Sequence, residues 1–110
     1  MSVETAYLKA ILATIARQAF PPDHLAELVV SNAGGEKQLA AFNLCDGNHT
    51  QSEIAASARL DPGSLSRSIS RWIDVGIVIR VSDGIEVKPT HIYPLPKEYL
   101  GARKGRKNGK

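Results

Sequence analysis

Between Thr50 and Lys88 the chain is punctuated more strictly than anywhere else, and that punctuation leaves few folds open. Thr50-Gln51-Ser52-Glu53 is a capping box, in which the Thr50 hydroxyl accepts from the Glu53 backbone N–H while the Glu53 carboxylate reaches back to Thr50. A helix starts there. Ile54, Ala55 and Ala58 give it a narrow apolar face, and the small members of that face let another helix come close. It cannot run far past Leu60. Asp61-Pro62 is a second start signal: a capping carboxylate, then proline at the first helical position, where its missing N–H costs nothing. Two helices separated by about three residues form a helix-turn-helix, expected here over about residues 50–75.

On the second of these helices, Leu65, Ile69, Trp72 and Ile73 fall on one side at 3.6 residues per turn and are expected in the core. The opposite side carries Arg67, with Gly63, Ser70 and Asp74 to one flank and Arg71 and Ser64 to the other. Four serines (Ser64, Ser66, Ser68, Ser70) and two arginines on one short helix are a poor choice for stability, because serine competes locally for backbone hydrogen bonds. They suit a surface that must hydrogen-bond to something. Short hydroxyl side chains let a helix seat deeply in a major groove, and arginine makes paired contacts with guanine or phosphate. After Gly76 the pattern turns extended. Ile77-Val78-Ile79-Arg80-Val81 and Ile85-Glu86-Val87-Lys88 flank Ser82-Asp83-Gly84, and Asp-Gly between β-branched runs predicts a hairpin over about 77–88, with Pro89 closing the second strand. The predicted fold class is therefore mainly α with a small β-hairpin, a winged helix-turn-helix. His91-Ile92-Tyr93-Pro94-Leu95-Pro96 reads as an extended segment returning over the core.

Upstream, Ser2 to Ala19 predicts an amphipathic helix, with Tyr7, Leu8, Ile11, Leu12, Ile15 and Ala19 inside a stripe about 140° wide. Pro21-Pro22 ends it. Asp23 is expected to cap a second helix carrying Leu25, Leu28 and Val29, which Asn32-Ala33-Gly34-Gly35 terminates. A third runs from about Glu36 to Cys45, burying Leu39, Ala40 and Phe42 or Leu44, and stops at Asp46-Gly47-Asn48. The first stripe is wider than a small core needs. Tyr7, Leu8, Ile11, Leu12 and Ile15 are therefore expected at a homodimer interface, since dimeric readers place two recognition helices about one DNA turn apart.

One hundred and ten residues suffice for one domain, expected over 1–100, without a separate sensory or catalytic unit. With 43% hydrophobic and 23% charged residues and no long apolar run, the composition is that of a soluble chain, not a membrane protein. Met1-Ser2-Val3-Glu4 lacks the basic start of a secretion signal and the single cysteine allows no internal disulfide, so a cytoplasmic location is expected. The net charge of +3 is concentrated: Arg103, Lys104, Arg106, Lys107 and Lys110 fall in the last ten residues, with no acid among them. Residues 101–110 are expected to form a basic disordered tail, either a solubility segment or an arm for nucleic acid.

Little else points to chemistry. Cys45, at an apolar helix end, reads as a buried structural thiol, because no cluster of positive charge nearby would stabilise its thiolate. His24, His49 and His91 are too scattered to suggest a metal site. Gly34-Gly35 follows a helix and lacks the Lys-Ser/Thr of a phosphate loop, and no Ser-His-Asp or paired-carboxylate spacing is present. The expectation is a non-enzyme with no cofactor, no metal and no evident small-molecule effector.

The run from Thr50 to Arg80, with its polar helix start, Ile54-Ala55, Ser64-Leu-Ser-Arg67 recognition helix and Gly76-Ile-Val78 lead into the wing, resembles MarR-like and ArsR-like transcription regulators. The likeness covers residues 50–80 well and about 36–88 loosely. It implies double-stranded DNA as partner, with Ser64, Ser66, Arg67 and Arg71 at positions such proteins use on DNA. Thr50 and Gln51 at the preceding helix start, Ser70, the wing residues Arg80 and Lys88, and the tail residues Arg103, Lys104, Arg106 and Lys107 complete the expected interface. Two departures stand out: no long C-terminal dimerisation helix follows, and the cysteine pairs of metal-sensing ArsR-like repressors are missing. The other function class open to this fold is a protein-interaction module within a larger nucleic-acid-associated assembly.

Overall fold

The computed structural model describes residues 2–30, 35–82 and 86–100. The chain is mainly helical with one small antiparallel sheet. In order, α1 spans Val3–Ala19, α2 Pro22–Val29, α3 Gly35–Leu44, α4 Gln51–Ala58 and α5 Pro62–Asp74, followed by β1 (Val78–Ser82) and β2 (Val87–His91). A last helical turn covers residues 97–100.

The start signals act as local hydrogen-bond chemistry predicts. Ser2 caps α1 by accepting from the Thr5 N–H at 3.0 Å. The capping box is complete: Glu53 N–H donates to Thr50 Oγ1 at 3.2 Å, and Thr50 N–H to Glu53 Oε1 at 2.9 Å. Asp61 caps α5 through the Ser64 N–H at 3.1 Å, with Pro62 in the first turn. The turn between α4 and α5 passes through Arg59, which takes a left-handed conformation (φ 59°, ψ 45°), a strain of order 1 kcal/mol for a residue with a Cβ. At the end of α5 the same role falls to Gly76 (φ 89°), which turns the chain into β1.

One expected cap fails. The residue preceding α2 is Pro21, which makes no side-chain cap, and Asp23 is the second residue of the helix, where its carboxylate accepts from the Tyr99 hydroxyl. With Pro22 at the first position one donor is already missing, so less is left for a cap to satisfy.

The core gathers Leu25 and Val29 of α2, Leu39, Ala41 and Phe42 of α3, Ile54 and Ala55 of α4, and Leu65, Ile69 and Trp72 of α5. Trp72 is fully buried, edge-on to Phe42 at 5.5 Å and 90°, and its indole N–H donates to the Val29 carbonyl at 3.1 Å. The segment after β2 does return over the core, burying Ile92, Tyr93 and Leu95. Asn43 holds it with two hydrogen bonds to Leu95, Nδ2 to the carbonyl at 2.9 Å and Oδ1 from the N–H at 2.8 Å.

The second strand differs from expectation. It runs through Pro89 to His91, with Arg80 opposite Pro89 and Ile79 opposite Thr90. Pro89 is tolerated because its carbonyl points away from β1, accepting from the Gly47 N–H at 3.1 Å, so its missing donor takes nothing from the β1 ladder. His91 N–H donates to the Cys45 carbonyl at 2.6 Å, and Asp46 bridges Thr90. β2 thus lies between β1 and the short stretch that follows α3. The expected hairpin turn at Asp83-Gly84 lies outside the described residues, as does the loop Asn32-Ala33-Gly34.

Helix α1 has the expected span, and its apolar stripe lies outside the core of the single chain. Only Ala16 is buried, with Ala13 partly so, while Tyr7 (66% exposed), Leu8 (65%) and Ile15 (61%) face outward. The helix is held by its C-terminal end instead. Arg17 lies over the Tyr93 ring at 4.8 Å, and the Tyr93 hydroxyl donates to the Phe20 carbonyl at 2.5 Å.

Candidate nucleic-acid interface

Burying Leu65, Ile69 and Trp72 turns the opposite side of α5 to solvent, and Ser66, Arg67 and Ser70 stand there exposed. Ser64 is half-buried at the start of the same side, its hydroxyl accepting from Arg67 Nη2 at 3.3 Å. Four of the expected contact residues therefore share one face of one helix. Ser68, the other serine of the run, is buried and accepts from Gln38 Nε2 at 3.2 Å, so it ties α5 to α3. Serine count alone overstated the polar surface.

Two expected contacts sit elsewhere. Arg71 is half-buried and donates from Nη2 to the Val29 carbonyl at 2.7 Å, sharing that oxygen with Trp72. A guanidinium at the C-terminal carbonyls of α2 is favoured by the helix dipole as well as by the hydrogen bond, so Arg71 joins α2 to α5 and does not project beside Arg67. Lys88 pairs with Val81 across the hairpin, on the face opposite Arg80, and its ammonium lies 3.6 Å from Glu86. One-residue alternation along a strand separates two lysine and arginine positions that look adjacent in a list of basic residues. Arg80, by contrast, reaches the start of α4, with Nη1 3.5 Å from Gln51 Oε1. Gln51 and Arg80 of β1 thus come together at the first turn of α4, beside the Thr50–Glu53 capping box. Arg103, Lys104, Arg106 and Lys107 lie outside the described residues.

The chemistry available elsewhere is modest. Cys45 is fully buried and burial, reinforced by the nearby Asp46 carboxylate, pushes its thiol up to about 12, leaving it protonated and unreactive. Burial pushes the His91 imidazole down, toward its neutral form. Among the described residues no three His, Cys, Asp or Glu side chains are grouped to hold a metal ion, and no helix is long and apolar enough to cross a membrane. No protein-family model matches the chain, and no curated protein matches it.

The loop that joins α3 to α4 carries its own titrating pair. Asp46 Oδ1 accepts from the Asn48 N–H at 2.8 Å and meets His49 Nδ1 at 2.9 Å, around Gly47 at φ 85°. Burial pushes the Asp46 carboxyl up, but the hydrogen bonds from Asn48 and His49 and the charge of His49 outweigh it and hold the carboxyl below its ordinary value. The hydrogen bond and charge of Asp46 hold the His49 imidazole above its own. The Asp46 contribution to folding is present above the unfolded carboxyl pKa and lost as pH falls through the lower folded value. That of His49 is present below the unfolded imidazole pKa and lost as pH rises through the higher folded one. Together they are fullest between about pH 4 and 6.5. Asp46→Asn is expected to return the NMR titration of His49 to that of an ordinary exposed histidine; an unchanged midpoint would mean that the pair is not formed.

Proposed function

We propose that this chain is a winged helix-turn-helix regulator that binds double-stranded DNA sequence-specifically, with α5 as the recognition helix, of the MarR-like and ArsR-like kind its 50–80 segment resembles. The observation that carries this reading is the outward face of α5, where Ser64, Ser66, Arg67 and Ser70 are gathered on a helix whose other side is anchored by Leu65, Ile69 and Trp72. A rigid helix with short hydroxyls around one arginine fits a major groove and presents donors to base edges. The order of elements supports it: a helix, a short strand stretch at Asp46, the helix pair α4–α5, then the hairpin β1–β2. Thr50 and Gln51 serve as backbone contacts beside this helix, and Arg80 of the wing extends the same grip on phosphate. Acting by occupying or bending an operator, such a protein regulates transcription without chemistry of its own.

Selection of bound duplexes from a random pool is the direct test, with enrichment of one sequence motif expected. On that motif Arg67→Ala is expected to cost roughly 1–3 kcal/mol and much less on unrelated DNA, because a base contact carries information and a phosphate contact does not. Gln51→Ala is expected to weaken both alike. Equal losses for Arg67→Ala on both DNAs would move Arg67 to the backbone class. No enrichment, with affinity untouched by Arg67→Ala, would favour a protein partner for this face.

A further inference from the structure

Building on the DNA-binding reading, and resting on it, we infer that Arg67 reads a guanine from the N-terminal end of α5, with Ser64 and Asp61 as its positioning residues and Gly63 as the clearance that lets it lie there. In a helix every Cα–Cβ bond tilts toward the N-terminus, so the side chain of Arg67 passes back over Ser64 and Gly63. Both neighbours accommodate it. Ser64 Oγ accepts from Arg67 Nη2 at 3.3 Å. A Cβ at Gly63 would stand 3.6 Å from Arg67 Nη1 and 3.1 Å from Asp61 Oδ2, so the guanidinium and the carboxylate converge over the bare backbone between them. Backbone conformation does not call for glycine at this position: among the described residues the glycines at positive φ are Gly47 and Gly76. Within a helix alanine is the more stabilising residue. What Gly63 supplies is room.

Asp61 decides which kind of acceptor this guanidinium meets. Its carboxylate already caps α5 through the Ser64 N–H at 3.1 Å, so the positive helix end, a ready place for a phosphate, carries an anion of the chain's own. A phosphate brought to Arg67 meets that carboxylate at short range. The N7 and O6 of a guanine are uncharged acceptors and meet no such repulsion. Ser64 stands between the two charged groups and is bonded to both, through its N–H to Asp61 and through its hydroxyl to Arg67. A guanidinium has several N–H donors in a fixed fork, and one bond to Ser64 leaves enough of them for a paired contact. Holding the group in place beforehand removes part of the entropy that a long free side chain loses on binding.

The test uses the full chain and the motif selected from the random pool. Arg67→Ala is expected to erase preference at one base pair, a G·C. Ser64→Ala is expected to weaken preference at that same pair by about threefold to tenfold, to leave affinity for random duplex unchanged, and to have no further effect once Arg67 is alanine. Gly63→Ala is expected to hold or raise the thermal midpoint while weakening the same preference, a combination that a purely structural glycine does not produce. Asp61→Asn keeps the cap and loses the charge; it is expected to loosen the same pair, to raise affinity for random duplex by about threefold, and to steepen its salt dependence by about one unit. Losses at a different pair, or a Ser64→Ala loss that simply adds to that of Arg67→Ala, would overturn the positioning roles and leave DNA binding itself intact. Failure to select any motif would instead defeat the DNA-binding reading, and the guanine contact with it. A measurement without DNA stands beside these. The NMR order parameter of the Arg67 Nε–H is expected to be that of a held side chain, and to fall in Ser64→Ala to that of a free exposed arginine. An Arg67 equally mobile in both chains would overturn the inference whether or not a motif is selected.

Discussion

Trp72→Ala is expected to remove about 3–5 kcal/mol of stability, a large fraction of the roughly 5–15 kcal/mol that a domain has to lose. The indole is fully buried, packs edge-on against Phe42 and donates to the last turn of α2, so its removal opens a cavity where α2, α3 and α5 meet. On a thermal melt followed by circular dichroism the midpoint should fall by about 15–30 °C. Two further variants separate packing from hydrogen bonding. The Val29 carbonyl is shared by Trp72 and Arg71, so Trp72→Phe keeps a ring in place and leaves that acceptor with the guanidinium. A cost of only about 1–2 kcal/mol is expected. Removing both donors orphans the carbonyl, and Trp72→Phe with Arg71→Ala should cost more than the two single changes added. A loss below about 1 kcal/mol for Trp72→Ala would contradict the packing described.

The second large effect concerns the last ten residues, for which charge alone supplies the expectation. Their five positive charges turn a remainder of net −2 into a chain of +3. Without them the body meets DNA with net repulsion, relieved locally by Arg67 and Arg80. If about three of the five lie near phosphates, each adds roughly 0.9 to the slope of log affinity against log salt, about 2.7 in all. Over a fourfold rise in salt that is about a fortyfold loss, on the order of 2 kcal/mol. Deleting residues 101–110 is therefore expected to weaken binding to preferred and random duplexes nearly equally, and to flatten the salt dependence by two to three units. Sequence preference should survive, because phosphate contacts read no bases. Titrations of both DNAs at several salt concentrations check this. A truncated protein that keeps its affinity and its slope would leave the tail with no part in binding.

The α5 surface gains its charge economically. Arg71, the arginine that looks equivalent to Arg67 on a helical projection, is drawn inward by a carbonyl that no projection shows. What remains outward is one arginine with Ser64, Ser66 and Ser70, and a second cation, Arg80, delivered from the hairpin to the start of α4. The proposed readout therefore rests on fewer groups than the basic residues of the segment suggest. Of these, the α5 residues should carry correspondingly more of the specificity, and Arg80 more of the phosphate grip.

Where elements begin and end was legible in the residues, because those signals act within three or four positions. The Thr50–Glu53 box, the Asp61 cap with Pro62, and Gly76 after α5 each settle a boundary through bonds between near neighbours, and no distant group is needed. The pattern of Leu65, Ile69 and Trp72 likewise fixed which side of α5 turns inward, since no other face of that helix is apolar. The fate of a side chain that has to choose among distant partners was decided only by the tertiary structure. Arg71 and Trp72 converge on a carbonyl more than forty residues away, and Pro89 stays in a strand because Gly47 lies on the side where its carbonyl points. Lys88 is separated from Arg80 by the pleat of a strand whose register no local signal states. The stripe of α1 shows the limit most plainly. Periodicity establishes that one side of a helix is apolar, but which surface covers it depends on what the rest of the chain brings alongside, and here the core brings only enough to cover Ala13 and Ala16.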